Sequence, residues 1–189
     1  MSDRAGRVRL FVALQLPEAA RARLAQWGRA AAAGDPSLRP VAAESLHVTL
    51  HFLGERPAGE VEGLRACVRA ACTAPIVLRS AGALWLAPRR PHVLTCAMED
   101  GSGALEALHA ELGAALAGAA PGWAPERRAF HPHVTVARVR RGTAPADGAP
   151  PAAPGLRFRA AAVALVQSRL EPSGARYETL ERIALRRHA

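Results

Sequence analysis

The chain has 189 residues, half of them hydrophobic and 22% charged, with a formal net charge of +9 at pH 7. That composition is globular, and no apolar run reaches the roughly 18–20 residues that a membrane span needs. Three cysteines, Cys67, Cys72 and Cys96, with no C-x-x-C pair, argue against a zinc ribbon or a disulfide framework and for a reduced, cytoplasmic protein. Arg7–Leu16 is rich in β-formers and reads as a first strand; it is short and lacks the small-residue cleavage site of a signal peptide. Pro17 then opens a helix with Ala20, Leu24 and Trp27 at helical spacing, and Gly34-Asp35-Pro36 ends it. Leu46–Leu53 is the next strand, closed by Gly54, and a helix with Val61, Leu64, Val68 and Ala71 on one face follows. Ile76–Leu86 and His92–Met98 read as a hairpin turning around Pro88-Arg89-Arg90-Pro91. A third helix spans about Gly103–Leu116, with Ser102 as its N-cap and a stripe of Leu105, Leu108, Leu112 and Ala115. His133–Val139 is a strand, and the Pro-, Gly- and Ala-rich segment Arg141–Gly155 is a mobile loop. Two last strands, about Leu156–Leu170 and Tyr177–Leu185, flank the turn Glu171-Pro172-Ser173-Gly174.

The order strand, helix, His-Val-Thr strand occurs twice. The first copy ends in His47-Val48-Thr49-Leu50 and the second in His133-Val134-Thr135-Val136, at nearly equal distances from Leu10 and Leu94. This is a duplicated α+β unit: one domain, residues 1–189, made of two lobes facing each other across a cleft. Strand alternation places His47, Thr49 and His51 on one face and Val48, Leu50 and Phe52 on the other. In the second copy Val134 and Val136 point one way, and His131, His133 and Thr135 the other.

Two histidines suit acid–base work near neutrality, because an imidazole titrates near pH 6.5. In-line attack on a phosphodiester needs a base on one side of phosphorus and an acid on the other, which facing lobes supply. The threonines two residues on can donate O–H groups to the non-bridging oxygens. One His-x-Thr is a weak signal; two, on strands of matching polarity in matching halves, are a much stronger one. All 25 basic residues are arginine. An Arg- and Ala-rich composition accounts for that choice as well as function does, but the net positive sign draws a polyanion such as RNA.

With these residues in view, the chain resembles the two-histidine (2H) phosphoesterase superfamily, and within it the bacterial and archaeal RNA 2',3'-cyclic phosphodiesterases, also described as 2'-5' RNA ligases (LigT-like). The matching pieces are Arg9–Leu14, Leu46–Glu55, Phe130–Arg138, Ser168–Leu170 and Tyr177–Leu180, in order along nearly the whole chain. The resemblance implies a bilobal α+β fold with two antiparallel sheets lining a central basic cleft and helices packed outside. It implies hydrolysis of an RNA-terminal 2',3'-cyclic phosphate to a 2'-phosphate with no metal and no cofactor. By motif position it makes His47 the proton donor and His133 the proton acceptor, with Thr49 and Thr135 on the phosphate. The partner it implies is RNA with a cyclic phosphate end, or a cyclic nucleotide, met by a monomer and not at a membrane.

Several residues keep two readings. Arg138 is a candidate phosphate ligand, but strict alternation puts it on the face of Val134 unless the strand bulges or ends there. His51 could line the cleft or be a partly exposed strand residue. His131 with His133 forms a His-x-His, but no carboxylate partner for a metal accompanies it. Phe11 reads more readily as core than as a base platform, and Tyr177 as sheet packing as readily as cleft lining. Ser45 is a turn residue, since no nucleophile elbow surrounds it. His92, His109 and His188 read as structural or solvated. Alternative functions with the same residues are a 2H enzyme acting on a small-nucleotide or ADP-ribose-derived cyclic phosphate, a metal hydrolase, or an RNA-end-binding module without turnover.

Overall fold

The structure is a computed structural model that describes residues 6–71, 74–87, 90–146, 148–171 and 174–185. In chain order its elements are β1 (Arg7–Gln15), α1 (Glu18–Gly34), β2 (Leu38–Pro40), β3 (His47–Pro57), α2 (Val61–Ala70), β4 (Val77–Leu86), β5 (Val93–Glu99), α3 (Ala104–Ala119), β6 (His133–Val139), β7 (Arg157–Arg159), β8 (Ala162–Glu171) and β9 (Gly174–Ala184). Among the described residues no helix is long and apolar enough to cross a membrane.

The strands join in the order β7-β4-β5-β6-β3-β1-β8-β9, with β2 beside β6, and every pairing is antiparallel. The two expected sheets are the two halves of this curled surface. They meet at a single register pair, Val48 opposite Val134. Beyond it the two motif strands part, and β2 fills the free edge of β6 by pairing Leu38–Pro40 with Ala137–Val139. The core lies between the sheet and the helices and holds Val48, Val134, Leu94, Leu24, Leu64, Leu112 and Leu116, each with at most 2% of its surface exposed.

The helices trade halves. Helix α1, from the first repeat, packs on β6 of the second and on β2, which pairs with β6, and α3, from the second, touches β3 of the first. Each crossing carries a glycine at its closest approach. A Cβ on Gly28 would stand 2.6 Å from the Val136 carbonyl oxygen, and one on Gly113 would stand 3.1 Å from the His51 ring. Gly28→Ala would gain about 1 kcal/mol of helix propensity, but the backbone oxygen cannot rotate away as a side chain can, and overpacking costs about 1–3 kcal/mol. The expected result is a net loss of about 1–2 kcal/mol, seen as a Tm lowered by about 2–8 °C in a thermal melt. An unchanged Tm would show that the helix can lift off β6 freely.

Some expected boundaries move. The run Leu156–Leu170 is two strands: the Ala160 amide bonds Ile76 O (2.9 Å) in the second half, and the next amide, Ala161, bonds Gln15 O (2.8 Å) in the first. A stretch of β-formers reveals extended backbone but not its partner, so the change of lobe leaves no mark in composition. Gly54 takes a positive φ of 69° yet β3 runs on to Pro57. The α3 N-cap is Gly103, at φ 76°, not Ser102. Asp100 caps the helix instead, accepting the Leu105 amide at 2.8 Å. Leu116, not Ala115, closes the α3 stripe. Among its described residues the segment after β6 forms no helix or strand through Leu156, and it is tied down where the Ala146 amide meets Asp35 Oδ2 at 2.9 Å. Pro88 and Arg89 of the expected hairpin turn, and Pro172 and Ser173 of the last turn, lie outside the described residues.

Candidate active site

The Val48–Val134 pair sits on the buried face, so the residues flanking it present the opposite face to the cleft. Antiparallel register then sets His47 across from Thr135 and His133 across from Thr49. Two histidines lie diagonally about the seam, at the roughly 7–8 Å backbone spacing of diagonal neighbours on an antiparallel pair, with the two threonines on the other diagonal. The backbone does the positioning: one inter-strand pair near the local twofold brings together residues that are 86 positions apart in the chain.

Both imidazoles are held the same way. His47 Nδ1 lies 2.8 Å from Ser45 O, and His133 Nδ1 lies 2.8 Å from His131 O. A carbonyl only accepts, so each Nδ1 carries the hydrogen and each Nε2 is left to exchange a proton with whatever lies in the cleft. Ser45 and His131 thus act through their carbonyls. The His131 side chain itself is exposed, and among the described residues no group of three or more His, Cys, Asp or Glu is placed to hold a metal ion.

A bulge follows each motif threonine. On β3 the register against β1 skips Leu50, since Val12 faces His51 while Ala13 faces Thr49. On β6 the register against β5 skips Val136, since Leu94 faces Ala137 while Thr95 faces Thr135. Each bulge reverses the alternation behind it. The expected sharing of one face by His47, Thr49 and His51, and of the other by Leu50 and Phe52, therefore fails after Leu50. His51 turns under the sheet, 4% exposed, with Nε2 2.8 Å from His109 O and its ring stacked on His109 at 4.1 Å. His109 stacks in turn on Phe130, so it is structural, while His188 lies outside the described residues. Phe52 comes up on the cleft face, 57% exposed. Arg138 occupies the matching place on β6 and is exposed on the cleft face too. The bulge that the sequence left open for Arg138 is present.

Phe11 also faces the cleft. It is 4% exposed and forms a small second cluster with Ala13, Ala164 and Val166, against which Tyr177 packs. The Phe11 ring stacks on His47 at 4.9 Å, and Tyr177 meets His47 edge-on at 5.5 Å. This aromatic wall covers one side of His47, which is half-buried. Burial chiefly, then the positive charges of Arg138 and His133, push His47 down to about 4, against the opposing pull of the Ser45 carbonyl. Sequence reading missed Phe52 and the wall around His47. The signal for the bulge would have been a second polar residue, Arg138, at an odd offset from Thr135.

A curled antiparallel sheet with paired histidine–threonine strands at its seam is the architecture of a two-histidine phosphoesterase. Comparison with known proteins agrees. The family model described as the 2'-5' RNA ligase superfamily matches residues 15–171. A Thermus thermophilus protein named RNA 2',3'-cyclic phosphodiesterase is 35% identical over 187 residues, covering 95% of this chain and 91% of its own. The crystal structure of TT0787, also from Thermus thermophilus, superposes with a TM-score of 0.80 at 34% identity, covering 94% of this chain and 97% of that one. E. coli LigT, solved in its apo form, gives a TM-score of 0.80 at 27% identity, over 96% of this chain and 99% of its own. LigT has also been solved with 3'-AMP. The chain belongs to the 2'-5' RNA ligase superfamily.

Proposed function

We propose that this protein hydrolyses a 2',3'-cyclic phosphate at an RNA end to a 2'-phosphate, without a metal. The observation that carries the reading is the seam: the Val48–Val134 pair sets two histidines, each with Nε2 freed by an identical Nδ1–H to carbonyl bond, on one diagonal and two threonines on the other. Water attacks phosphorus as His133 Nε2 takes its proton. The bond from phosphorus to the 3'-oxygen breaks, and His47 Nε2 delivers a proton to that oxygen. Thr49, Thr135 and Arg138 hold the non-bridging oxygens as charge builds there. Phe52 offers an uncovered aromatic face on which a nucleobase can stack. The Thermus relative's name supports the substrate, and the 3'-AMP bound to LigT supports a nucleotide at the cleft.

One observation favours exchanging the two histidines' roles. Lowered to about 4, His47 is neutral near pH 7, which is the state of a base. The donor assignment stands because the substrate brings its own negative charge to Arg138 and His47, and an anion beside an imidazole favours the protonated form. The direct test is turnover of an oligonucleotide ending in a 2',3'-cyclic phosphate in excess chelator. The expected result is undiminished activity and a 2'-phosphate product. Loss on chelation, restored by zinc or manganese, would replace this reading with a metal hydrolase. Binding without product would replace it with an RNA-end-binding module.

A further inference from the structure

We propose that Arg79, Arg157 and Arg159 form a track for the RNA backbone upstream of the reacting end. This rests on the RNA reading above and goes beyond it by stating where the rest of the chain runs.

The argument is one of faces. Ala97 pairs with His133 and therefore shares its cleft side. Two residues on, Glu99 returns to that side and pairs with Arg79, which pairs with Arg157; beside them Val77 pairs with Arg159. The intervening residues mark the alternation from below, since Met98 and Leu78 are buried in the core at 4% and 0% exposure. The three arginines thus lie on the same surface as His133, from roughly 12 Å (Arg79) to roughly 20 Å (Arg159) along the sheet at standard strand spacing. That is about four to six stacked nucleotides.

The site is open and positive. A groove of about 370 Å³ runs between Arg79, Arg157, Arg159 and the turn Asp100–Ser102. Arg79 shares its charge with Glu99 at 2.6 Å, whereas Arg157 and Arg159 form no ion pair among the described residues. Asp100, the other carboxylate there, is occupied with the Ser102 and Leu105 amides and the Ser102 hydroxyl. A phosphate therefore meets two uncompensated guanidinium groups, the side chains best shaped to hold it.

The two lobes also differ in a way that sets direction. Beside the seam the cleft face of the first lobe is apolar and aromatic, with Phe11, Val166, Tyr177 and the exposed Phe52, and its arginines, Arg9 and Arg7, come only farther along β1. That of the second lobe becomes basic toward its outer edge. A terminal base suits the first, and a departing sugar–phosphate chain suits the second.

The test compares the protein with an Arg157→Ala/Arg159→Ala variant on two substrates, a 2',3'-cyclic mononucleotide and a hexanucleotide ending in a 2',3'-cyclic phosphate. Both are assayed across a salt series. The expected result is a KM for the hexanucleotide about 10-fold higher in the variant, with the mononucleotide unaffected. The hexanucleotide's log–log salt slope should also become shallower by about 1.4, or about 0.7 for each lost phosphate contact on a single strand. Unchanged mononucleotide turnover shows that the variant is folded. A hexanucleotide preference that survives intact in the variant overturns the track. If the unaltered protein turns over neither substrate, the functional reading fails instead. The track is then read by equilibrium binding of a labelled hexanucleotide, which the variant must weaken if the proposal holds.

Discussion

His47→Ala and His133→Ala are each expected to slow turnover of a 2',3'-cyclic phosphate by about 10²–10⁴-fold, the usual worth of a positioned acid or base. The double variant should be little worse than the poorer single one, because the two groups act on one transition state. The fold should survive. His133 sits at the cleft surface and, among the described residues, its ring bonds only the His131 carbonyl; His47 loses one carbonyl contact and two ring contacts. A substrate whose leaving 3'-oxygen is replaced by sulfur separates the two roles, since a thiolate departs without a proton. It should restore most of the rate to His47→Ala and little to His133→Ala. Rescue of the opposite variant would assign His47 as the base, in line with its depressed pKa. Full activity of either single variant on the ordinary substrate would remove two-histidine catalysis altogether.

Acidification from pH 7 toward 4 is expected to destabilise the protein well before its carboxylates titrate. His47 is lowered to about 4, and His51 and His109 are lowered as well, in each case chiefly by burial. In the unfolded chain all three titrate near 6.5. Below that value the unfolded state binds more protons, so the stability these groups contribute is complete above pH 6.5 and lost as pH falls through the folded values. For His47 the displacement from 6.5 to about 4 corresponds to at most about 3 kcal/mol. The measurement is the urea midpoint at pH 7, 5.5 and 4.5. It should fall steadily, and His47→Gln, which cannot titrate, should flatten the fall. A midpoint constant from pH 7 to 4.5 would mean that the cleft wall around His47 admits water freely.

The site was legible to different depths. His47, Thr49, His133 and Thr135 emerged from spacing because a period of two is a local property of extended chain, and a motif repeated in matching contexts is recognisable without coordinates. Arg138 was visible only as an open question, and Phe52 was assigned to the wrong face. Both depend on an extra residue in one strand relative to its neighbour, and a bulge exists only in a pairing. His51 shows the same limit from the other side. Alternation put it on the face of His47, as cleft lining or a partly exposed strand residue, yet the bulge at Leu50 turns it beneath the sheet, where Gly113 leaves room and the His109 carbonyl satisfies its nitrogen. Helix caps and ends were wrong by a residue or two, because Gly103 and Asp100 compete with Ser102 over distances shorter than a sequence pattern resolves.

The local chemistry was already written in the chain: strands and helices in the right order, a duplicated unit, two histidines with their threonines, and a surplus of positive charge. These follow from side-chain period, turn residues and composition, which need no partner to be read. Folding decided the rest. It joined the halves through one valine pair, crossed α1 and α3 onto the opposite lobes, and divided one expected strand between the two halves of the sheet. It packed Phe11 face-on and Tyr177 edge-on against His47, and the burial lowers the pKa of that imidazole. Those outcomes depend on which strand lies beside which, and on how much water is excluded when it does, and both are properties of contacts between residues far apart in sequence.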